Sequence, residues 1–391
     1  MQQAVILAAG EGQRLRPFTV NKPKAMLPIA GKPMLHYVIK ALAENGIRNI
    51  VLVTGYRKEQ VFDYLGSGEQ LGVDINYVIQ EQQLGTAHAL LQAKEVTSTE
   101  FLVIPGDNLI TAATIAQFTT IKPQAVLVKR VDNPTRYGVA TIKAGVVRAI
   151  TEKPEQAKAR TINTGIYAFT NDIFDLIQAE LDIPEVLNKM ITQGYTINAM
   201  ETGGPWLDVV YPWDILSLND TVLRQIPAEL GGTIESGVSL KGQVAVGKYT
   251  LIRSNSYIAG PVAIGDGCTI GPNVCILPAT SIGNNVFLSP FTSIENCVIG
   301  NDVHIEPGCI IQNSVIDNGC SIGAQFTACS GQTEIKIDGD YHRVDIGAMI
   351  GESCRLANNV VAQPGVIVGN YSEIRALKMI GERLPDRSLL V

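Results

Sequence analysis

The sequence predicts an α/β protein: a Rossmann-like domain with a mixed, mostly parallel sheet, followed by a left-handed parallel β-helix. Two observations lead to this prediction. In the first part of the chain, short apolar runs alternate with longer segments of helical periodicity, which is typical of α/β domains. In the last part, an aliphatic residue recurs at every sixth position, a period that neither a helix nor a half-buried strand produces.

The alternating part contains five strand-like runs, AVILAA, NIVLVTG, INYVIQ, FLVIPGD and AVLVKRV. Helix-like segments such as MLHYVIKALAENGI and GTAHALLQAKEV separate them. In open sheets of this kind, ligands bind beyond the carboxyl ends of the strands, and both LAAGEGQR and VIPGDN lie at such ends. The helix DILSLNDTVLRQI is predicted to close the domain, which then spans residues 1–226.

The six-residue ladder runs without a break from Leu240 to Ile294. A slip of one residue leads to Ile299 and Ile305, and a second slip leads to Ile310, Ile316 and Ile322. In a parallel β-helix, each flat side takes about six residues, its aliphatic side chain points inward and a tight turn follows. Each coil then buries its apolar face against its neighbours, as in other solenoids.

A polar stretch, GQTEIKIDGDYHRVD, interrupts the ladder and is predicted to leave the coil as a loop or short hairpin. The spacing then resumes at Ile350, Leu356, Val368, Ile374 and Ile380. We therefore expect a linker over residues 227–238, the β-helix over 239–381 and a C-terminal tail over 382–391.

The length, composition and net charge of the chain argue against several classes of protein. The chain has 391 residues, of which 46% are hydrophobic and 17% charged, as expected of a globular protein with more than one domain. A net charge of −6 argues against a broad nucleic-acid surface. The start of the chain lacks the pattern of a signal peptide, and no apolar run reaches the roughly 18 residues of a membrane span. We expect a cytoplasmic protein without nucleic-acid or membrane partners.

All seven cysteines lie in the last third of the chain, and none forms a close CxxC pair. Their number and spacing argue against a disulfide framework or a zinc site. Buried small thiols in a reducing compartment are the expected alternative.

The segment LAAGEGQRLRPFT, residues 7–19, follows the first strand-like run with two glycines and two arginines. It has neither the dinucleotide fingerprint nor the spacing of a Walker loop. Glycines at Gly10 and Gly12 let backbone N–H groups converge on an anion, and Arg14 and Lys24 supply positive charge. On these residues alone, a phosphate cradle and a surface turn with solvated cations both remain possible.

The stretch LAAGEGQRLRPFT…KPKAMLPIAGKPML closely resembles the sugar-phosphate nucleotidyltransferases, or nucleotide-sugar pyrophosphorylases, which include archaeal thymidylyltransferases and UDP-N-acetylglucosamine pyrophosphorylases. Further matches follow in family order: QEQQLGTAHAL, PGDN, YGVA, TEKP, NTGIYAF and WLDVV. The resemblance implies that a pyrimidine nucleoside triphosphate, UTP or dTTP, reacts with a sugar 1-phosphate. The sugar is glucose or N-acetylglucosamine, and the products are a nucleotide sugar and pyrophosphate.

The resemblance also implies roles for individual residues. Arg14 and Lys24 would be catalytic, neutralising the triphosphate, and Asp107 and Asp208 would hold Mg²⁺. The nucleotide would bind at Leu7, Ala8, Ala9, Gly10, Gly12, Gln80, Gly85 and Thr86. The sugar phosphate would bind at Gly138, Glu152, Lys153, Asn163 and Thr164. Gln13 departs from the family pattern, in which Thr or Ser is common, so altered triphosphate contacts are expected there.

The β-helix leaves two further functions open. It resembles the second half of two-domain enzymes that acetylate amino-sugar 1-phosphates with acetyl-CoA. However, the expected catalytic histidine and tyrosine fall on Pro307 and Ile310, and Pro307 cannot act as a base. We therefore expect acetyl transfer to be absent and the coil to assemble subunits into a trimer or larger homo-oligomer. A non-catalytic regulatory or scaffold protein is the other alternative.

Overall fold

The computed structural model describes residues 1–157 and 159–391. Its chain divides into two compact units, each made of separated segments. The first unit contains Met1–Glu11, Lys22–Met26 and Met34–Asp208. The second contains Gly12–Asn21, Leu27–Pro33 and Val209–Val391. This division differs from the boundary expected near residue 226, because two short N-terminal segments and the last helix pack with the β-helix.

The first unit is built on a nine-stranded sheet. Its strands are β1 Gln3–Ala8, β2 Asn49–Thr54, β3 Asp74–Ile79, β4 Glu100–Pro105, β5 Ala125–Arg130, β6 Gly138–Lys143, β7 Val146–Glu152, β8 Thr161–Thr170 and β9 Asn198–Glu201. Their order across the sheet is β3-β2-β1-β4-β8-β5-β9-β7-β6. The pairs β3–β2, β2–β1, β1–β4 and β5–β9 are parallel, whereas β8 runs antiparallel to β4 and β5. The predicted mixed, Rossmann-like α/β class is confirmed.

Helices and short turns connect these strands. The α-helices of the unit are α1 Met34–Glu44, α2 Lys58–Leu65, α3 Thr86–Gln92, α4 Ala112–Phe118, α5 Ile173–Leu176 and α6 Ile183–Thr192, and α7 Asp214–Leu223 belongs to the second unit. Single 3₁₀ turns cover Gln13–Leu15, Lys24–Met26, Glu69–Leu71, Lys94–Val96 and Pro134–Arg136. Two-stranded ladders join Pro28–Ile29 to Lys32–Pro33 and Asn108–Ile110 to Trp206–Asp208. Strands β1, β2 and β4 are almost continuously buried, as expected where both faces of a sheet are covered.

The second unit is a left-handed β-helix with three all-parallel sheets. Sheet one contains Glu229–Leu230, Val244–Val246, Val262–Ile264, Thr280–Ile282, Val298–Ile299, Val315–Ile316, Met349–Ile350 and Ile367–Val368. Sheet two contains Thr233–Ile234, Leu251–Ile252, Thr269–Ile270, Phe287–Leu288, His304–Ile305, Ser321–Ile322, Arg355–Leu356, Glu373–Ile374 and Leu389–Leu390. Sheet three contains Ser239–Lys241, Tyr257–Ala259, Cys275–Ile276, Ser293–Glu295, Ile310–Gln312, Thr327–Ala328, Val361–Ala362 and Met379–Ile380.

Three strands of the coil lie in segments that the sequence analysis predicted to be the linker or the C-terminal tail. Glu229–Leu230 and Thr233–Ile234 lie in the expected linker, and Leu389–Leu390 lies in the expected tail. Each is only two residues long, too short to leave a periodic pattern of its own. The coil thus begins earlier and ends later than predicted.

Inward-facing aliphatic side chains fill the coil, as the ladder predicts. From Val246 to Ile305, the ladder positions are at most 3% exposed. One position was wrong: Ile310 is 43% exposed, whereas Ile311 is fully buried. The second slip therefore comes after Ile311, because Ile311 and Ile316 are five residues apart, the same spacing as Ile294 and Ile299 at the first slip.

One corner of the coil carries a column of Asn and Asp side chains. Each accepts a hydrogen bond from a backbone N–H of the preceding coil, for example Asp266 N to Asn284 Oδ1 and Asn284 N to Asn301 Oδ1, both at 2.8 Å. Glycines stand beneath them: a Cβ on Gly265 would lie 2.4 Å from Asn284 Oδ1. The recurrent glycines of the ladder therefore make room for this column.

The predicted excursion is a hairpin, Gly331–Ile337 paired with Asp340–Ile346. Sheet one is covered on its outer side, where Val298 and Val315 are buried and line a small cavity with Phe18, Leu27 and Ile215. Asn219 of α7, itself fully buried, accepts from Ala30 N and Ser281 Oγ and donates to Ala279 O. These contacts attach residues 12–21 and 27–33 to the coil.

All seven cysteines are free thiols, five of them buried. Cys275 is half-buried and Cys329 is exposed, so the expectation of buried thiols holds for most of them but not for Cys329. Burial raises the pKa of Cys309 to about 11, which keeps that thiol protonated at neutral pH. Among the described residues, none of the helices has the length and apolar character needed to cross a membrane.

Candidate active site

Three charged side chains meet at the carboxyl edge of the sheet in the first unit. Asp107 follows β4 after a single glycine, and Lys24 opens a 3₁₀ turn. Asp208 ends the short strand Trp206–Asp208, which pairs with Asn108–Ile110 directly beyond Asp107. The sequence placed Asp107 at a strand end, and the ladder of these two strands brings Asp208 beside it.

Lys24 bridges the two carboxylates. Its Nζ lies 2.5 Å from Asp107 Oδ2 and 3.0 Å from Asp208 Oδ1. Side-chain exposure is 18% for Lys24, 25% for Asp107 and 18% for Asp208. Burial alone would lower the pKa of Lys24, but the charges of Asp107 and Asp208 raise it above the ordinary lysine value. Lys24 is therefore a fixed cation in a partly dehydrated setting.

The backbone beyond β1 lies next to this cluster in the fold. Gly106 N donates to Leu7 O at 2.9 Å, and a Cβ on Gly106 would lie 2.9 Å from the Cβ of Ala8. Only glycine allows β4 to end so close to β1. Ala9 is buried, whereas Gly10 is exposed with open space around its Cα. Strand β1 ends with Leu7 and Ala8, and Ala9 and Gly10 follow it. The backbone becomes accessible at Gly10.

Gly12 and Arg14 belong to the second unit. Gly12 has φ +74°, a conformation that favours glycine, and its carbonyl accepts from Leu15 N and Thr19 Oγ1. Arg14 Nε lies 3.1 Å from Asp338 Oδ2, at the tip of the hairpin Gly331–Ile346. This ion pair was not foreseen, because no local signal links residues so far apart. The phosphate-binding role of Arg14 stays a prediction.

Gln80, Gly85 and Thr86, the residues expected to bind the base, share one tight loop between β3 and α3. Gln80 Nε2 donates to Gly85 O at 3.1 Å, and Gln83 Nε2 donates to Gln80 O at 2.9 Å. Thr86 donates from its N and its Oγ1 to Asp182 Oδ1, both at 3.0 Å. The structure brings all three predicted residues together.

The residues expected to bind the sugar phosphate form a second group, around the start of β6. A Cβ on Gly138 would lie 2.7 Å from Glu152 Oε2, so a side chain at this position would displace the carboxylate. Asn163 Nδ2 donates to Tyr167 Oη at 2.7 Å. Lys153 Nζ lies 4.0 Å from Glu152 Oε1, and both side chains are about half exposed. Gly138, Glu152, Lys153 and Asn163 could together bind a polar, anionic ligand.

Two groups in this region have shifted acidities. Burial raises the pKa of Glu152, the charge of Asp182 adds to this effect, and Lys153 opposes it. Burial also raises the pKa of the Tyr167 hydroxyl above the ordinary tyrosine value. Thr164 has a different place: it is buried, and its Oγ1 donates to Leu127 O at 2.6 Å. Its hydroxyl is committed to the sheet, so Thr164 could reach a ligand only through its backbone.

Sequence reasoning missed the segment that closes the loop Gln80–Thr86. Asp182 holds Thr86, and Lys189 Nζ lies 2.8 Å from Glu180 Oε1. The Lys189 hydrogen bond, together with backbone N–H groups, lowers the pKa of Glu180 to about 2. The only sequence signal was an aspartate before Ile-Pro at a helix start, which is common in helices that bind nothing.

The donor set at Lys24 suits a hard divalent cation. Within residues 1–157 and 159–391, no group of three or more His, Cys, Asp or Glu side chains could hold a metal ion. Magnesium, however, is commonly held by one or two carboxylates together with substrate phosphates. Asp107 and Asp208 already converge on one cationic atom, the ammonium of Lys24. Their geometry is therefore compatible with a shared cation.

Comparison with known proteins decides the family. The nucleotidyl transferase family model matches residues 3–225, more than half of the chain. The chain belongs to the nucleotidyl transferase family. The resemblance drawn from the sequence motifs is thus confirmed. In this nucleotidyl transferase, residues 252–333 also match the GMPPB C-terminal domain.

Relatives of this nucleotidyl transferase match nearly its whole length. The bifunctional protein GlmU of Methanococcus vannielii is 33% identical over 414 residues, covering 99% of this chain and 97% of its own. The bifunctional sugar-1-phosphate nucleotidylyltransferase/acetyltransferase of Sulfurisphaera tokodaii is 32% identical, covering 95% of each chain. A solved structure from Bacillus anthracis, described as a candidate glucose-1-phosphate thymidylyltransferase, aligns with a TM-score of 0.53 and 29% identity. It covers 58% of this chain and 97% of its own.

Proposed function

We propose that this protein makes a nucleotide sugar and pyrophosphate from a pyrimidine nucleoside triphosphate, UTP or dTTP, and a sugar 1-phosphate. One observation carries the proposal: in a chain of this family, Lys24 is held between Asp107 and Asp208 at the carboxyl edge of the sheet. Ligands of open α/β sheets bind at that edge. Glucose 1-phosphate and N-acetylglucosamine 1-phosphate are the candidate sugars.

In the proposed reaction, a phosphate oxygen of the sugar phosphate attacks the α-phosphorus in line, and pyrophosphate leaves. Such a transfer depends on positioning and charge neutralisation more than on covalent help from the protein. Lys24 contacts the α-phosphate, and the backbone from Leu7 to Gly10 faces the phosphates. Arg14 neutralises the leaving pyrophosphate, for which it must exchange Asp338 for a phosphate.

Asp107 and Asp208 hold Mg²⁺ in this proposal. The ion supplies positive charge to the phosphate oxygens. The two carboxylates are already directed at one cationic group, the ammonium of Lys24, and they would be the residues that hold the ion. Lys24 would neutralise the phosphates of the bound nucleotide.

The sugar phosphate lies beside Gly138 in this proposal. Glu152, when ionised, accepts hydrogen bonds from sugar hydroxyls, and Lys153 contacts the phosphate as a point charge. Asn163, oriented by its bond to Tyr167, contributes a further polar group.

An assay of pyrophosphate release tests the proposal. The full-length protein is incubated with Mg²⁺ and every pairing of UTP or dTTP with glucose 1-phosphate or N-acetylglucosamine 1-phosphate. We expect pyrophosphate with at least one pairing and none with EDTA. An absence of pyrophosphate from every pairing would favour the regulatory or scaffold alternative.

Acetyl transfer is a second candidate function, because the full-length relatives from Methanococcus and Sulfurisphaera are named as bifunctional. The positions aligned with a catalytic histidine and tyrosine are Pro307 and Ile310. His304 is the nearby imidazole: its Nε2 lies 3.2 Å from Glu306 Oε1 and its ring stacks on Phe287. An imidazole fixed by a carboxylate could act as a base.

Thiol release from acetyl-CoA with glucosamine 1-phosphate tests this candidate. Release by the wild-type protein that His304→Ala abolishes would establish it. Thiol release that persists in His304→Ala would mean that another residue is the base. If the wild-type protein releases no thiol, nucleotidyl transfer is the one remaining proposed activity. In that case, a homo-oligomer assembled through the β-helix is the proposed role of the coil, measurable by light scattering.

A further inference from the structure

The buried amide of Gln80, at the end of β3, is oriented by two neighbouring groups. Its Nε2 donates to Gly85 O at 3.1 Å and lies 2.9 Å from His88 Nδ1. A carbonyl oxygen can only accept, so Gly85 fixes which end of the amide is the nitrogen. An amide nitrogen cannot accept, so His88 Nδ1 is the acceptor in this contact.

Both hydrogens of the Gln80 amide are therefore engaged within the protein. Gln80 is 3% exposed, and within the described ranges 1–157 and 159–391 its Oε1 accepts no hydrogen bond. Gln80 Oε1 is not one of the fully enclosed polar atoms that lack a partner, so part of this oxygen is accessible to solvent. The group consequently offers an acceptor, and no donor, to a molecule that binds beside it.

The loop around this amide is held rigidly. Ala87 N donates to Leu181 O at 2.8 Å, and Thr86 is bound twice to Asp182. Gly85 has φ +148°, and a Cβ there would lie 2.4 Å from Leu181 O. The backbone therefore cannot swing away without breaking these bonds, and the Gly85 carbonyl stays directed at Gln80.

We propose that His88 is a positioning residue that makes Gln80 read the N3–H donor of uracil or thymine and reject cytosine. This inference rests on the function proposed above, in which Gln80 contacts the base. Uracil and thymine carry a hydrogen on N3, whereas cytosine carries a lone pair there. An amide that presents only its oxygen accepts from the first two bases and repels the third. Selectivity thus comes from a repulsive contact as well as an attractive one.

Loss of His88 removes one of the two restraints on the amide. The reversed amide, which offers Nε2 to cytosine N3, then becomes accessible. His88 touches Gln80 and need not touch the base, so its removal should change the choice of base more than the rate of the chemical step.

The experiment compares kcat/KM for UTP and CTP in the full-length protein, with Mg²⁺ and the sugar 1-phosphate that gives the highest activity. We expect His88→Ala and His88→Leu to lower the UTP-to-CTP ratio by about tenfold, the effect of one lost neutral hydrogen bond. The change should lie mainly in KM. His88→Asn retains an acceptor and should keep most of the ratio. Glu95→Ala, at an exposed residue of the 3₁₀ turn Lys94–Val96 that follows α3, is the control and should leave the ratio unchanged.

The outcomes separate this inference from the proposed function. If the wild-type protein is active but uses CTP as well as UTP, the positioning role is wrong. It is equally wrong if His88→Ala and His88→Leu both fold, as judged by circular dichroism, and keep the ratio within about twofold of wild type. If the wild-type protein releases no pyrophosphate at all, the proposed function fails. Calorimetric titration with UTP and CTP alone then decides the base preference by the same ratio.

Discussion

The role proposed for Lys24 depends on two neighbours, Asp107 and Asp208, that are distant from it in sequence. The sequence gives a lysine on a proline-flanked segment, and nothing local says what it faces. In the structure it neutralises two carboxylates that would otherwise repel each other. The charges of Asp107 and Asp208 raise the pKa of Lys24 against the effect of burial, so the side chain is a cation at neutral pH.

Replacing Lys24 by methionine should lower kcat by about 10²–10³-fold, the effect of removing one charge-stabilising donor from a preorganised site. The measurement is pyrophosphate release at saturating substrates. Lys32→Met, at an exposed lysine nearby in sequence, is the control. A Lys24→Met variant that is folded and retains kcat within about threefold of wild type would contradict the role.

Glu152 should make sugar-phosphate binding sensitive to pH. Burial raises its pKa, so on acidification it loses its charge at a higher pH than an ordinary glutamate. Only the ionised form is a pure acceptor. KM for the sugar phosphate should therefore rise as the pH falls from about 8 toward 5, and more steeply in wild type than in Glu152→Gln.

The ionisation of the substrate phosphate affects wild type and Glu152→Gln alike, so the difference between the two profiles isolates the carboxyl group. Parallel profiles would rule out Glu152 as the titrating group.

Much of the candidate site could be placed from the sequence, and the reason is topological. Asp107 follows an apolar strand, and strand ends of a parallel sheet share an edge. Asp182 could not be found in this way, because its role depends on a contact with Thr86, 96 residues away in sequence. The Arg14–Asp338 pair spans 324 residues, and neither residue has a neighbour that signals the other.

At the scale of elements, the coil is the most regular part of the chain, and its inward positions follow the six-residue period. The period continues from Ile305 to Ile311, but the slip was placed one turn too early, because Ile310 and Ile311 are both isoleucine and residue type could not decide between them. The structure decides it: the side chain of Ile311 lies inside the coil and that of Ile310 lies outside.

This pair of neighbours gives a controlled test. Ile311→Ala should lower the free energy of unfolding by about 2–5 kcal/mol, as for other buried isoleucines. Ile310→Ala should change it by no more than about 0.5 kcal/mol. Both are measured by denaturant unfolding, with the slope expected to stay constant. The reverse order would restore the register first expected from the sequence.

The hairpin Gly331–Ile346 gives a second prediction at this scale. In the proposed reaction, Asp338 would compete with phosphate for Arg14. Asp338→Asn should therefore lower KM for the nucleotide by up to about fivefold, since an exposed ion pair contributes about 0.2–1 kcal/mol. Asp340→Asn, an exposed aspartate of the same hairpin, should have no effect. An increase in KM for Asp338→Asn would mean that Asp338 positions Arg14 for the nucleotide.

At the scale of the whole molecule, the two units interleave along the chain. Residues 12–21 and 27–33 lie between segments of the first unit in sequence but pack with the β-helix. A change in composition predicted a boundary near residue 226. The contacts of residues 12–21 and 27–33 with the coil join residues hundreds of positions apart, and no local sequence pattern predicts such contacts.

A fragment ending at residue 226 should therefore not fold into an active domain. It would expose Phe18, Leu27 and Ile215, which are at most 2% exposed in the full chain. We expect the fragment to aggregate, or to unfold without a cooperative transition and without releasing pyrophosphate. A soluble fragment with wild-type kcat would show that the interleaved segments do not need the coil.

The attachment of residues 12–21 has a consequence for the timing of biosynthesis. Asn370 Nδ2 donates to Pro17 O, and Asn21 Nδ2 donates to Tyr371 Oη. A ribosome makes Pro17 353 residues before Asn370, and Asn21 350 residues before Tyr371. Domains usually fold in the order in which they are synthesised, but here the glycine-rich segment cannot make these contacts until the coil around Asn370 and Tyr371 has been synthesised. A nascent chain could thus complete the sheet of the first unit early and still lack the final attachment of residues 12–21 until this distant part of the coil has formed.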